Sequence, residues 1–292
     1  MAAPRWEVEG QGWPNADASR FVAAGGVKWH VQVAGAGPVM LLLHGTGSAT
    51  HSWRDVLPLL TPHFTVVAPD LPGHGFSSAI GRASPVNVAT AVAALTDTLG
   101  LAPALIVGHS AGAAIALTMV DRGLAAPRSV VSLGGALLPF GGLAGKIFPS
   151  MARLLFVNPF TPELFAMRTR SPGEVGAFLQ RSTASPIDAR GVALYERLLQ
   201  TSGHIGGALA LMANWDLDAL ERALPRIAVP VLLVHGDRDA TIPVATSRTV
   251  ANRLLDGRLM IIPGLGHLAH EEAPARHAEI VTDFARSTGV LA

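Results

Sequence analysis

The feature that most constrains this chain is the run Gly108-His109-Ser110-Ala111-Gly112. It follows the apolar stretch Ala104 to Val107 and precedes an apolar helical pattern that begins at Ala113. The run predicts a tight turn from a strand to a helix, in which the glycines let both elements approach and the middle residue is held in a strained backbone conformation. A serine exposed at such a turn is typical of a nucleophile, so we predict this role for Ser110.

A serine nucleophile needs a base and an acid that orients the base. His267 follows the late apolar run Leu259 to Ile262 and is the predicted base. Two aspartates follow the apolar strand Val229 to Val234, at the end of a strand where open α/β sheets build their sites. We predict that Asp239 is the acid and that Asp237 is a turn residue, with the acid role of Asp237 as the alternative.

The negative oxygen of an acyl-transfer intermediate needs two backbone N–H donors. The predicted donors are the N–H of Ala111, next to the nucleophile, and the N–H of Thr46, in the loop after the strand Val39 to Leu43. We interpret four nearby histidines as buried rings that brace loops: His44, His74, His109 and His235. His270 is interpreted as a surface residue, because acidic neighbours and Pro274 indicate the start of the last helix.

Five ordered motifs resemble the α/β-hydrolase fold superfamily from about Ser19 to the end of the chain. They are His44 to Gly47, Asp70 to Ser77, the run around Ser110, His235 to Pro243, and Pro263 to His267. The order nucleophile, acid, base also matches that superfamily. The resemblance implies an α/β fold with a mostly parallel eight-stranded sheet, helices on both faces and a helical cap after the sixth strand. We expect the core in residues 1–133 and 221–292 and the cap in residues 134–220.

Stretches outside these motifs resemble one branch of the superfamily, the BchO-type magnesium-chelatase accessory proteins of bacteriochlorophyll synthesis. They are Trp13 to Asn15, Ser19 to Val22, Trp29 to Gln32, Thr50 to Asp55, Ala136 to Phe140 and Ala208 to Trp215. The chain departs from the branch at Gly134-Gly135, where an asparagine beside the glycine is expected. The resemblance implies a role in tetrapyrrole pigment synthesis and association with a magnesium chelatase, and it leaves the reaction undefined.

The predicted cap is strongly apolar, and substrate choice is expected to reside there. The candidate pocket residues are Phe140, Met151, Phe165, Met212 and Trp215 of the cap and His44 of the core. They predict a hydrophobic small-molecule substrate, and a tetrapyrrole fits that description. The alternative is that the cap residues only pack the cap helices together.

Composition excludes several classes of protein. The chain of 292 residues has a net charge of +1 and no Lys/Arg run, which gives no electrostatic basis for binding nucleic acid. It has no cysteine, and its histidines show no metal-ligand spacing, so we predict no metal and no cofactor. The N-terminus lacks a secretory signal and no apolar window predicts a transmembrane helix. We expect a cytoplasmic protein, with peripheral membrane contact through the cap left open.

Three functions fit these observations. The first is a serine hydrolase that cleaves an ester of a hydrophobic substrate, including a tetrapyrrole intermediate. The second is a non-catalytic accessory protein that binds a porphyrin, although a pure carrier has no physical need of a complete triad. The third is a carboxylesterase, lactonase, C–C hydrolase or perhydrolase unrelated to pigment. Dehalogenases and epoxide hydrolases of this fold use a carboxylate nucleophile, so Ser110 disfavours both.

Overall fold

An eight-stranded sheet forms the framework of the protein. The computed structural model describes residues 2–139, 158 and 160–292. The strands are β1 (Ser19–Ala24), β2 (Val27–Ala34), β3 (Val39–Leu43), β4 (Thr65–Pro69), β5 (Leu105–His109), β6 (Ser129–Leu133), β7 (Val231–Gly236) and β8 (Gly257–Ile262). Their order across the sheet is β1-β2-β4-β3-β5-β6-β7-β8.

The sheet is mostly parallel, because β2 pairs antiparallel with both β1 and β4 while the six strands from β3 to β8 run in one direction. The carboxyl ends of these parallel strands therefore meet at one edge. The loops that carry Thr46, Ser110, Asp239 and His267 all leave the sheet at this edge. The α/β fold expected from the sequence motifs is confirmed.

Two apolar layers hold the sheet between helices. Alternate residues of a strand point to opposite faces, so Leu41 and Leu43 of β3 enter one layer while Met40 and Leu42 enter the other. All four side chains are fully buried. This double burial explains why the central strands are continuous apolar runs in the sequence.

The helices are α1 (Trp6–Glu9), α2 (Leu57–Leu60), α3 (Pro85–Leu99), α4 (Ala111–Asp121), α5 (Thr161–Arg168), α6 (Glu174–Thr183), α7 (Ala189–Leu199), α8 (Ser202–Ala213), α9 (Asp218–Ala223), α10 (Val244–Arg253), α11 (Ala269–Glu272) and α12 (Pro274–Ser287). Helix α3 has a capped N-terminus. Ser84 caps it by accepting a hydrogen bond from the Asn87 N–H, and Pro85 occupies the first position. Helices α3, α4 and α10 contribute to one apolar layer, and α2 and α12 to the other.

Helices α5 to α9 lie between β6 and β7, where the cap is expected. Helix α8 packs against the core backbone: a Cβ added at Gly207 would lie 1.9 Å from the carbonyl oxygen of Gly73. The boundaries of the cap at residues 134 and 220 stay a prediction. Phe140 and Met151, two candidate pocket residues, lie outside the described residues.

Across the part of the chain that the structure describes, no helix is long and apolar enough to cross a membrane. The predicted cytoplasmic location and the peripheral membrane contact stay predictions.

Candidate active site

Ser110 lies in the sharp turn between β5 and α4. Its backbone has φ 50° and ψ −114°, a left-handed value of φ that a residue with a side chain rarely adopts. The flanking glycines permit this turn, because an added Cβ would lie 2.4 Å from the Ala113 nitrogen at Gly108 and 2.1 Å from the Leu43 carbonyl oxygen at Gly112. The strained strand-to-helix turn predicted from the sequence is present, with Ser110 facing a cavity.

His267 and Asp239 meet across the loops that follow β8 and β7. The Nδ1–H of His267 donates to Oδ2 of Asp239 at 2.7 Å, which leaves Nε2 as the free ring nitrogen. His267 lines the same cavity as Ser110. The three residues predicted to act together are therefore brought to one place, and the hydrogen bond orients the ring as a serine base requires.

The environment of Asp239 stabilises its charged form. Its Oδ1 accepts the backbone N–H groups of Thr241 and Ile242, each at 2.8 Å. Burial alone raises the pKa of Asp239, but the contacts with His235 and His267 outweigh it and hold the pKa well below its usual range. Asp239 is thus a carboxylate at neutral pH. Asp237 is exposed and accepts the backbone N–H of Gly264 at 2.7 Å, which fits the interpretation as a turn residue.

Two backbone N–H groups are available at the nucleophile. Thr46 and Ala111 both line the cavity beside Ser110, and no described residue accepts a hydrogen bond from either N–H. The loop approaches closely because position 45 is a glycine: an added Cβ there would lie 3.0 Å from the Ser110 Cβ. These two groups are the donors that the sequence predicts for an oxyanion.

His44 does not line the cavity, so the prediction that it belongs to the pocket is corrected. Its ring is fully buried. The Nδ1–H donates to the Gly45 carbonyl and Nε2 accepts the Leu71 N–H, both at 2.8 Å. Burial lowers the pKa of His44, which keeps the ring neutral. His44 therefore braces the loop that carries Thr46.

Two more imidazoles lie behind the base. The ring centroid of His109 is 4.8 Å from that of His267, and its Nε2–H donates to the His267 carbonyl at 3.0 Å. His270 lies 4.5 Å from His109 and is fully buried, so its interpretation as a surface residue is wrong. Its acidic neighbour Glu271 is also buried, with Arg54 as partner, and so does not mark a surface. Burial lowers the pKa of His109 and of His270 well below the ordinary value.

The cavity above Ser110 has a volume of about 390 Å³. Its walls are mostly apolar side chains of the cap, including the predicted pocket residues Phe165, Met212 and Trp215 together with Phe178, Leu179 and Leu209. Polar side chains also line the cavity, among them Arg168, Glu174 and Tyr195 of the cap. A cavity of this size and character fits a hydrophobic small molecule.

The end of helix α6 holds the loop that carries the base. The His267 N–H donates to the Thr183 carbonyl and the Leu268 N–H donates to Ser185 Oγ, both at 2.8 Å. Ser185 Oγ in turn donates to Glu272 at 2.6 Å. Because α6 also lines the cavity, one cap helix contacts both the base loop and the space for a ligand.

His204 of α8 ties the cap to two loops of the core. Its Nε2–H donates to the Gly47 carbonyl, and its Nδ1 accepts the Gly75 N–H, both at 3.0 Å. Burial lowers the pKa of His204 to about 4, so the ring is neutral at pH 7. This neutral ring holds the loop of Thr46 in place from the cap side.

A buried charged network provides a third link between cap and core. The Tyr195 hydroxyl donates to Glu271 at 2.7 Å, and the Arg54 guanidinium pairs with the same carboxyl group. Burial raises the pKa of Glu271 to about 7, although Arg54 opposes this change. Tyr195 also lines the cavity, so the network reaches the site.

The sequence interpretation missed Ser185, His204, Tyr195 and Glu272. These residues belong to no motif, because the hydrogen bonds by which they link cap and core join positions 76 or more residues apart in the chain. One signal was available for His204: Gly206-Gly207 in the middle of a helix indicates close backbone packing. Within the described residues, no group of three or more His, Asp or Glu side chains is arranged to hold a metal ion.

Comparison with known proteins fits this geometry. A family model described as alpha/beta hydrolase fold matches residues 38–274. The chain belongs to the α/β-hydrolase fold family. A solved α/β-hydrolase fold structure, that of a thermophilic esterase from Thermogutta terrifontis, superposes with a TM-score of 0.74 at 22% identity, covering 92% of this chain and 97% of that chain.

Two curated relatives extend the comparison within the α/β-hydrolase fold family. The magnesium-chelatase 30 kDa subunit of Rhodobacter capsulatus is 41% identical over 277 residues, which is 93% of this chain and 96% of that protein. The pimeloyl-[acyl-carrier protein] methyl ester esterase of Neisseria meningitidis (serogroup A) is 33% identical over 264 residues, covering 86% of this chain and 77% of that protein. The chain is therefore similar over most of its length both to a protein named as a magnesium-chelatase subunit and to a protein named as an esterase.

Proposed function

We propose that this protein is a serine hydrolase that cleaves a carboxylic ester of a hydrophobic substrate. The observation that carries the proposal is that Ser110 and His267 line one apolar cavity, with His267 already hydrogen-bonded to Asp239. The similarity to a methyl ester esterase supports an ester as the cleaved bond. The apolar cap walls support a hydrophobic substrate.

In the first half of the reaction, Ser110 Oγ attacks the ester carbonyl carbon while His267 Nε2 takes the hydroxyl proton. The carbonyl oxygen becomes negatively charged and accepts hydrogen bonds from the backbone N–H groups of Thr46 and Ala111. Asp239 stabilises the imidazolium that forms and remains a carboxylate. The tetrahedral intermediate then breaks its C–O bond, His267 gives its proton to the alcohol, and an acyl-enzyme remains.

In the second half, water attacks the acyl carbon and His267 Nε2 takes a proton from that water. The same two N–H groups donate hydrogen bonds to the oxyanion that forms in this step. Collapse breaks the bond to Ser110 Oγ, which recovers its proton from His267. The products are the carboxylic acid and the free enzyme, so atoms and charges balance over the cycle.

Hydrolysis of p-nitrophenyl esters of increasing acyl length tests this proposal. We expect the wild type to hydrolyse them and Ser110→Ala to lose at least about 10⁴-fold in kcat. Ser287→Ala, at the end of α12, is the matched control and should keep the wild-type rate, because among the described residues its hydroxyl donates only to the Phe284 carbonyl. Hydrolysis that persists in Ser110→Ala at the wild-type rate would refute the proposal.

We infer a pigment-related substrate or ligand as the second candidate. It is favoured by the 41% identity to a protein named as a magnesium-chelatase subunit. In this role the cavity accepts an ester-bearing tetrapyrrole for hydrolysis, or it holds a porphyrin for a chelatase without catalysis. Association with a chelatase also belongs to this proposal.

Quenching of tryptophan fluorescence by a porphyrin methyl ester tests the pigment proposal, since Trp215 lines the cavity. We expect saturable quenching that is weakened in Trp215→Phe, together with release of the free acid by the wild type. Quenching without acid release favours the accessory role. The absence of saturable binding would exclude both pigment roles and leave a hydrolase of other esters.

A further inference from the structure

His235 is a buried imidazole that the proposed reaction does not use. It lies on β7, four residues before Asp239, and its side chain is fully buried. Its Nδ1 is 2.7 Å from Ser247 Oγ, and its Nε2 is 2.9 Å from the Ile242 carbonyl oxygen and 3.2 Å from Asp239 Oδ2. Both ring nitrogens of His235 therefore have hydrogen-bond partners, and the ring lies beside the same oxygen of Asp239 that holds His267.

These contacts select one tautomer of His235. A carbonyl oxygen only accepts hydrogen bonds, so the Nε2 that faces Ile242 carries the proton. In the neutral ring, Nδ1 then accepts a hydrogen bond from the Ser247 hydroxyl group. The Nε2–H donates to the Ile242 carbonyl, and the Nε2 atom lies 3.2 Å from Asp239 Oδ2, so its partial positive charge is close to the carboxylate.

Three N–H groups donate to the carboxylate of Asp239, and a fourth lies close to it. Oδ1 accepts the N–H groups of Thr241 and Ile242, whereas Oδ2 accepts the Nδ1–H of His267 and lies 3.2 Å from Nε2 of His235. A partial positive charge beside an acceptor oxygen weakens the attraction of that oxygen for its other donor. The contact with His235 therefore acts directly on the oxygen that holds the base.

We propose that His235, held in one tautomer by Ser247, is a positioning residue that fixes Asp239 Oδ2 toward His267 and weakens the pull of that oxygen on the proton of the base. The inference rests on the proposed function of the same site. It assigns a role to Ser247 on α10, about which the catalytic motifs say nothing. Because His235 acts through Asp239, it touches neither substrate nor the reacting atoms.

Two other imidazoles near His267 keep the same protonation state near pH 7. His109 of β5 packs beside His267, and His270 of α11 lies behind His109. Burial holds the pKa of both rings well below the ordinary value, so both remain neutral near pH 7. Asp239 holds the base directly and His235 contacts Asp239. Arg168, Glu174 and Tyr195 line the same cavity as His267, and Glu272 accepts the N–H of Gly266 beside it. The substitutions tested below leave all of these groups in place, so a difference in the titration of His267 between variants is attributable to its contact with Asp239.

The test is a ¹⁵N-histidine NMR titration of the resting protein. In the wild type, His235 should show a protonated Nε2 and an accepting Nδ1. In His235→Leu the pKa of His267 should rise by about 0.5 pH unit or more, because Asp239 Oδ2 loses the partial positive charge of the neighbouring His235 Nε2–H group. His235→Gln keeps a donor near the position of Nε2 and should restore the wild-type value.

Two variants on α10 keep the test decisive if His235→Leu does not fold. Ser247→Ala removes the partner of Nδ1 and should move the pKa of His267 in the same direction by a smaller amount. Thr249→Val should leave that pKa unchanged, since within the part of the chain that the structure describes the Thr249 hydroxyl donates only to the Ala245 carbonyl. An unchanged pKa of His267 in every folded variant, or an unprotonated Nε2 on His235 in the wild type, would overturn the proposal.

The rate of labelling by a fluorophosphonate as a function of pH provides the second readout. The acid limb should shift with the NMR value in each variant. A protein that is not labelled at all argues against the serine hydrolase function, yet the NMR titration still decides the role of His235. The two failures are therefore distinguishable.

Discussion

Around Ser110, loops from four strand ends hold polar groups through short hydrogen bonds to backbone and side chains, whereas the cap above them presents mainly apolar walls. In the loops, glycines allow neighbouring residues to approach closely. At Gly45, for example, an added Cβ would lie 2.9 Å from His109 Nδ1. In the cap, Phe165 and Phe178 line the cavity and remain partly exposed to solvent. In the proposed function, the loops of the core therefore set the geometry of the reaction, and the cap selects the substrate.

The largest expected effect comes from the acid. Asp239→Asn should lower kcat by about 10⁴-fold, because an amide in place of the carboxylate holds His267 in the wrong tautomer. Asp237→Asn, the matched control in the same loop, should change kcat little. Steady-state hydrolysis of a p-nitrophenyl ester measures both. Equal losses at the two positions would break the assignment of the acid.

The next effect tests how closely the loops must approach. Gly45→Ala should lower kcat by about 10²-fold, because the new methyl group meets Ser110 and His109 and displaces the Thr46 N–H from the oxyanion. Gly81→Ala is the control, since an added Cβ there meets nothing within 4 Å. A wild-type kcat in Gly45→Ala would show that this approach is unimportant for the reaction.

A cap substitution should act on binding and leave the reaction unaffected. Trp215→Ala should raise KM for a long-chain ester roughly tenfold, since the lost apolar contact is worth about 1.5 kcal/mol. The same variant should hydrolyse an acetate ester with an unchanged kcat, which serves as the internal control. A large fall in kcat for the acetate ester would mean that the cap also positions the reacting groups.

The smallest effect concerns the attachment of the cap through His204. Its pKa is about 4 in the folded protein and 6.5 in a model peptide, so between these pH values the unfolded chain binds a proton that the folded chain does not. This difference lowers the free energy of unfolding by up to about 1.4 kcal/mol per pH unit as the pH falls.

Urea unfolding at several pH values between 4 and 6.5 measures the contribution of His204. His204→Gln should lose stability less steeply with acid than the wild type. Identical slopes would contradict the assignment of a buried neutral ring at this contact.

The strands and the catalytic motifs could be predicted from the sequence because both are local. The apolar run Val39–Leu43 coincides with β3, since a strand buried on both faces needs apolar residues throughout. The glycines around Ser110 predict a tight turn, because a Cβ at Gly108 or Gly112 would clash with backbone atoms. These signals require no knowledge of distant residues.

The links between cap and core could not be predicted in the same way. Ser185 and Glu272 lie 87 residues apart in the chain, and neither residue type indicates the other. The acidic pair at Glu271 and Glu272 suggested a surface, but Arg54 and Ser185 satisfy these carboxylates inside the protein. His270 was misinterpreted for that reason.

Labelling with a fluorophosphonate tests the central claim most directly, because it needs an activated serine and no knowledge of the substrate. Intact mass and peptide mapping should find one adduct per chain on Ser110 in the wild type and none in folded Ser110→Ala. A folded wild-type protein that acquires no adduct, or acquires it equally in Ser110→Ala, would contradict the account of Ser110 as the nucleophile.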